Sequence, residues 1–257
     1  MKTIVITGAS EGIGRKLAFR LASKNVNLVL GSRSLDKLES ICEKLKHRCN
    51  SCLALKLDLA EDKTIINFFK TVKKKYKTVD VLVNNAGIGY YSQVKDLDMK
   101  KSRYLFEVNF FGLVLCTREC LKLMKKDSKI LNVTSEVSYR GMPVMSIYCA
   151  SKAAVKSFSE SLRVEVKDRG IEVLIIYPGY ISTDFHKTTN EISNLKRPIY
   201  KGRSPEDLAI YMERMIKHNK KEGLPFFEGK VLRLLAALAP WALDYIFHKK
   251  HKKELNS

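Results

Sequence analysis

A chain of 257 residues is long enough for one sizeable α/β core, and neither an internal repeat nor a low-complexity linker marks a second domain. The formal charge of +20 invites a nucleic-acid reading, but the lysines fall in short clusters such as Lys73-Lys74-Lys75 and Lys220-Lys221, on solvated faces of predicted helices. No helix-turn-helix, zinc finger or aromatic RNA-binding motif accompanies them, so only weak, salt-sensitive adhesion to polyanions is expected.

In chain order, residues 1–6 read as a short buried strand with Ile4, Val5 and Ile6 apolar in a row. The start lies so close to this strand that no secretory signal is expected. Thr7-Gly8-Ala9-Ser10-Glu11-Gly12-Ile13-Gly14 follows, then helical spacing over 15–22. Strand, glycine-rich turn and helix form the phosphate cradle of a dinucleotide fold: glycines admit close backbone approach and the helix N-terminus faces the pyrophosphate. The spacing is GxxxGxG, not the usual GxGxxG, and a ligand-free turn would look the same. Strand-like runs at 26–30, 52–57, 79–83, 130–133 and 173–176 alternate with helical stretches at 34–46, 64–75, 100–125 and 148–168. That alternation predicts a Rossmann-type doubly wound parallel sheet between helical layers, an α/β fold in one domain.

Tyr148-Cys149-Ala150-Ser151-Lys152 places Tyr and Lys four apart, on one helical face. A neighbouring ammonium stabilises phenolate, lowers the phenol's pKa and makes Tyr148 a usable general acid or base. Ser135, thirteen positions upstream, can hold a substrate oxygen.

These motifs together resemble the short-chain dehydrogenase/reductase family in its compact form, over residues 1 to about 183. TGxxxGxG stands at Thr7 to Gly14, and Asn84-Asn85-Ala86-Gly87 matches the family's NNAG. Asn109 occupies the place of the family's catalytic and structural Asn, and Pro178-Gly179 with Thr183 matches PGxxxT. The resemblance implies metal-free direct hydride transfer. Tyr148 would exchange the proton with the substrate oxygen, Ser135 would bond that oxygen, and Lys152 would lower the Tyr148 pKa and hold the nicotinamide ribose. Asn109 would position a water relaying protons through Lys152. The cofactor would lie along Gly8, Ser10, Glu11, Gly12, Ile13, Gly14, Ser32, Arg33, Asp58, Asn85, Ala86 and Gly87. Pro178, Gly179, Ile181 and Thr183 would hold its carboxamide end. It also implies a homodimer through the helices bearing Asn109 and Tyr148.

Cofactor choice turns on Gly31-Ser32-Arg33, where an NAD enzyme usually carries a carboxylate. Arg33 suits a 2′-phosphate and Ser32 can add a donor, while Asp36 serves the dipole of the following helix. NADP(H) is therefore preferred over NAD(H), against one departure: NADP-preferring relatives often carry a base where Glu11 stands. Asp58 resembles the family's adenine contact, and equally a strand-end turn residue.

A substrate lid is expected at about 184–225, with Phe185, His186 and Tyr200; His186 reads either as a substrate contact or, more simply, as a solvated loop residue. Tyr90, Tyr91, Met142 and Met145 are candidates to line an apolar pocket for a hydrophobic carbonyl or alcohol substrate. Residues 1–229 form the expected catalytic domain, and 230–257 an apolar then basic extension. Its apolar part, 231–247, is interrupted by Arg233, Pro240 and Asp244 and is too short to span a bilayer. Arg233, Ala237, Pro240, Asp244 and His248 fall on one stripe, with Trp241 and Tyr245 elsewhere and a basic cluster beyond. Attachment to an anionic membrane surface is one reading; closure over the pocket or packing in a dimer is the other. Among six cysteines the Cys49/Cys52 pair reads as chance spacing, without the four ligands zinc needs. Cys116 and Cys120 read as small apolar groups, and a reducing, cytosol-facing location is expected, peripheral on a membrane under the attachment reading. NADPH-dependent reduction is the favoured function. NAD-dependent alcohol or steroid oxidation, or an NADPH-sensing scaffold without turnover, stands as the alternative.

Overall fold

The apolar runs become strands β1 (Lys2–Thr7), β2 (Val26–Ser32), β3 (Ser51–Lys56), β4 (Val81–Asn84), β5 (Lys129–Val133) and β6 (Glu172–Ile176) in a computed structural model that describes residues 1–196 and 201–255. Tyr200, expected near substrate, lies outside the described residues. With β7 (Glu222–Gly223) the strands form one parallel sheet ordered β3-β2-β1-β4-β5-β6-β7. Helices between them are α1 (Gly12–Leu21), α2 (Leu35–Leu45), α3 (Asp62–Tyr76), α4 (Met99–Phe106), α5 (Gly112–Leu121) and α6 (Ser146–Glu165), then α7 (Phe185–Ile192) and α8 (Pro205–His218).

Strand alternation divides the core. Ile4, Ile6, Leu28 and Leu30 face a layer with Leu17, Leu38 and Met212, while Val5, Val29, Leu82 and Ile130 face Phe68, Cys116 and Leu162. A sheet covered on both faces accounts for the near-continuous apolar runs. The chain leaves β1 toward β3 and returns to β4 on β1's other side, so the β1 and β4 ends flank the switch point where ligands bind in such sheets.

Four features differ from the sequence reading. The stretch 100–125 is not one helix: a π-helical turn, Glu107–Phe111, separates α4 from α5. Asn109 lies in it, tied sideways to Ile88, and Gly112 sits so close to Leu59 that an added Cβ would be 2.4 Å from its carbonyl oxygen. The 184–225 segment divides, because among its described residues Asp184 and α7 border the pocket and α8 does not. Helix α8 packs on α1, with Leu208, Ala209, Met212 and Met215 fully buried. Strand β7 is only two residues long and left no periodic signal.

Cys52 is not unpaired: it forms a disulfide with Cys42 of α2, which β3 brings alongside, while Cys49 stays free and buried. This pairing departs from the expectation of six reduced thiols.

The extension forms α9 (Phe227–Leu238) and α10 (Pro240–Leu255), bent by 118°, with Pro240 opening the second helix. No single helix among the described residues is long and apolar enough to cross a membrane. Leu243 is buried and Leu232, Leu235 and Ala236 are half-buried, while the polar stripe stays exposed and only two of its members reach the body at the edge: Arg233 pairs with Glu222 at 3.2 Å and stacks over Tyr139, and Asp244 pairs with Arg140. Leu234, Leu238, Trp241, Tyr245 and Ile246 are turned outward, Trp241 with 73% of its surface exposed. Lys249 and Lys252 are exposed beyond them.

Candidate active site

The loops after β1 and β4 are locked together. Thr7 Oγ1 accepts the N–H groups of Asn85 (3.1 Å) and Ala86 (3.2 Å), and Asn85 Nδ2 donates to the Thr7 and Gly8 carbonyls. Gly12 has φ +53°, and a Cβ on Gly14 would lie 2.3 Å from the Gly8 carbonyl oxygen, so the tight turn onto α1 needs both glycines. Glu11 makes no side-chain cap and the first turn of α1 holds no acid. Its leading N–H groups are thus left for an anion, which fits a pyrophosphate.

Gly8, Ser10, Glu11, Gly12, Ile13, Ser32, Arg33, Asp58, Asn85, Ala86, Gly87 and Thr183 border one groove of about 410 Å³. Gly14 supports the groove from beneath. At the far end Arg33 Nη1 donates to the Tyr104 hydroxyl at 3.0 Å. Lys37, which the sequence reading passed over, also borders the groove and pairs with Glu11 at 3.1 Å. Glu11 therefore does not stand as an unbalanced acid there. Lys37 stands in the first turn of α2, four positions after Arg33, a proximity in sequence that could have flagged it. Ser32 Oγ accepts the Ser34 N–H at 3.2 Å, and Asp58 caps the Ala60 N–H at 3.0 Å.

Ser135, Tyr148, Lys152, Pro178, Gly179 and Ile181 border an adjoining cavity of about 300 Å³, which shares Ile13, Asn85, Gly87 and Thr183 with the groove. Its walls include Met142, Met145, Phe185 and His186. Tyr90 and Tyr91 do not border it; they are buried behind the wall, the Tyr90 hydroxyl accepting the Asp98 N–H. His186 is not simply solvated: its ring stacks on Tyr180 at 3.8 Å and its Nδ1 is 3.2 Å from the Tyr91 hydroxyl. Phe185 packs against the Tyr148 ring, their centroids 5.9 Å apart.

Helix α6 carries Tyr148 and Lys152 on one face. Lys152 is only 4% exposed, and its ammonium donates to the Val133 carbonyl at 3.1 Å. Burial pushes it down to about 8. The Tyr148 phenol is pushed up, chiefly by burial, against an opposing hydrogen bond with Ser135. Burial raises Tyr148, and Lys152 adds no opposing pull: its ammonium donates to a backbone carbonyl and lies 5.9 Å from the phenol ring centroid. A phenol held protonated is suited to donate.

Ser135 Oγ also donates to the Pro178 carbonyl at 3.2 Å, tying the β5 end to the PGxxxT loop. Asn109 is buried behind both spaces. It accepts the Ile88 N–H at 2.8 Å and donates to the Ile88 carbonyl and to Ser151 Oγ, whose hydroxyl bonds the Tyr148 carbonyl. It therefore joins the NNAG loop to the catalytic helix. Among the described residues no cluster of His, Cys, Asp and Glu suits a metal.

The short chain dehydrogenase family model matches residues 2–194. The chain is 32% identical to an uncharacterized oxidoreductase of Bacillus subtilis, over 97% of this chain and 98% of that protein. It is 34% identical to an NADP-dependent 3-hydroxy acid dehydrogenase of Schizosaccharomyces pombe, over 81% of this chain and 84% of that one. Among solved structures, an alcohol dehydrogenase from the archaeon Thermococcus sibiricus, complexed with 5-hydroxy-NADP, superposes with a TM-score of 0.78 at 30% identity, covering 87% of this chain and 95% of that one.

Proposed function

The chain belongs to the short-chain dehydrogenase/reductase family and is an NAD(P)-dependent oxidoreductase of CH–OH and C=O groups; we propose that it reduces a hydrophobic, lipid-like or steroid-like ketone or aldehyde with NADPH. The observation that carries this reading is the cavity at Tyr148, walled by Met142, Met145 and Phe185 and continuous with a groove whose far end carries Arg33 and Lys37. Two cations at that end favour a 2′-phosphate over a free hydroxyl.

Ser135 and Tyr148 bind the substrate carbonyl oxygen, and Tyr148 donates its proton as that oxygen gains charge. Lys152 holds the cofactor ribose and resupplies the proton, a role suited to an ammonium near neutrality. Asn109 fixes the α6 helix and the Ile88 backbone relative to each other. Ser10, Gly12 and Ile13 at the α1 N-terminus bind the pyrophosphate, while Pro178, Gly179, Ile181 and Thr183 orient the carboxamide. The nicotinamide, when bound, supplies the hydride. The apolar wall excludes water from the reacting centre.

We further propose that the α9–α10 pair rests on an anionic membrane surface. Arg233 and Asp244 pair with Glu222 and Arg140 and hold the pair of helices to the body, and Leu234, Leu238 and Trp241 face outward beside Lys249 and Lys252. A homodimer through the helical elements bearing Asn109 and Tyr148 is carried as a proposal on family likeness and is tested by light scattering.

Consumption of NADPH and NADH is measured against long-chain ketones, steroid ketones, sugars and small aldehydes. Turnover of apolar carbonyls with NADPH is expected; NADH preference, or activity confined to small polar carbonyls, would overturn the reading. Sedimentation with phosphatidylserine vesicles tests the membrane contact, which fails if the wild-type protein stays in the supernatant.

A further inference from the structure

Glu136 follows Ser135 directly, in the short helical turn Glu136–Ser138, and borders the cavity that holds Tyr148. The proton-transfer steps above do not use it. Its carboxyl sits in a slot made by two glycines from different parts of the chain. A Cβ on Gly179 would lie 2.9 Å from Glu136 Oε2, and one on Gly229, in the first turn of α9, would lie 3.0 Å from the same oxygen. A side chain at either position would press on the carboxyl, so the fold leaves room for it from both sides.

Burying a carboxyl without hydrogen bonds is costly. Among the described residues, no hydrogen bond or ion pair reaches the Glu136 side chain. The charged group that acts on it is Glu228 of α9, itself paired with Arg203 at 2.7 Å. Burial first, and repulsion from Glu228 second, push Glu136 up to about 7. On the cavity side, Glu136 acts on Tyr148, where its charge adds a small upward push to the phenol behind the larger effect of burial. An acceptor with spare capacity therefore borders a space whose walls join Met142, Met145 and Phe185 to Ser135, Tyr148 and His186.

We propose that Glu136 is a specificity-determining residue whose carboxyl accepts a hydrogen bond from a hydroxyl or amino group of the substrate. The preferred substrates are then apolar carbonyl compounds that also carry such a donor, over isosteric compounds that lack it. This inference rests on the reading of the Tyr148 cavity as the carbonyl site. A buried acceptor discriminates strongly because the analogue without a donor leaves it unpaired, whereas an apolar wall distinguishes the two compounds weakly.

The test compares kcat/KM for matched long-chain ketones with and without one hydroxyl or amino group, scanned along the chain. It uses the full-length protein with NADPH. The wild type is expected to favour at least one donor-bearing ketone over its plain counterpart by about tenfold or more. Glu136→Leu is expected to bring that ratio close to unity, chiefly through the KM of the donor-bearing ketone, while Glu136→Gln, still an acceptor, keeps part of it. Gly229→Ala displaces the carboxyl without removing it and should lower the ratio as well, which guards against misfolding of the Leu variant. NADPH titration by fluorescence verifies that each variant is folded. A wild type without preference anywhere along the scan, or a ratio unmoved by both Glu136→Leu and Gly229→Ala, overturns the role of Glu136. Those outcomes with plain ketones still turned over leave the reductase reading standing. Absence of turnover for every carbonyl sinks both.

Discussion

Lys152→Met separates what the lysine does for the site from what its burial costs the fold. Lys152 is 4% exposed, and burial lowers its ammonium from the ordinary 10.5 to about 8. Below the folded value the group is charged in both states, and the folded protein carries the whole cost, roughly 3 kcal/mol at 1.36 kcal/mol for each tenfold step in acidity. Between about 8 and 10.5 the unfolded chain holds a proton that the folded protein releases, so this group's contribution to stability rises with pH. Above 10.5 it is neutral in both states and the cost is gone. Methionine has a similar length and does not titrate. Its stability advantage over lysine should therefore shrink by roughly 2 kcal/mol from about pH 7 to about pH 10. The variant also forfeits the bond to the Val133 carbonyl. Its net gain at about pH 7 should then be nearer 1–2 kcal/mol than 3. Urea unfolding of both proteins at the two pH values, without cofactor, measures the gap directly. A gap that stays constant or widens with pH would refute the burial argument.

Two further outcomes follow from other parts of the molecule. Arg33→Ala should weaken NADPH binding about tenfold and leave NADH within about threefold, read by fluorescence titration, because only the 2′-phosphate uses that guanidinium; equal losses for both cofactors would argue against the assignment. The Cys42–Cys52 bond closes a loop across a sequence separation of 10. Its reduction should lower stability by roughly 2–3 kcal/mol, seen as a fall in urea midpoint on adding dithiothreitol and abolished in Cys42→Ser.

Much of this architecture could be read from the chain because the signals were local. Buried parallel strands are apolar runs, and the phosphate turn is fixed by glycines at Gly8, Gly12 and Gly14. The Tyr148/Lys152 pair needs only helical spacing. What escaped was set by contacts distant in sequence. Lys37 matters because of Glu11, on another element. The turn at Asn109 breaks a helical pattern through bonds to Ile88, 21 residues away. The ion pairs that Arg233 and Asp244 make depend on Glu222 and Arg140, from elements earlier in the chain. Helical spacing shows that Lys152 is near Tyr148 but not how deeply both are buried, and burial sets the direction of the phenol's shift. Glu136 carried no signal at all, since its slot is made by Gly179 and Gly229, 43 and 93 positions on.

Single-turnover reduction of an apolar ketone by Tyr148→Phe, beside the wild type and with NADPH affinity measured on the same samples, tests the assignment of Tyr148 as proton donor most directly. Phenylalanine preserves the ring packed against Phe185 and removes only the hydroxyl. NADPH binding should stay within about threefold while the reduction rate falls by 10²–10⁴ or more, about the contribution of a positioned acid. A variant that still reduces the ketone within about tenfold of the wild-type rate would contradict that assignment and place the proton donor elsewhere in the cavity.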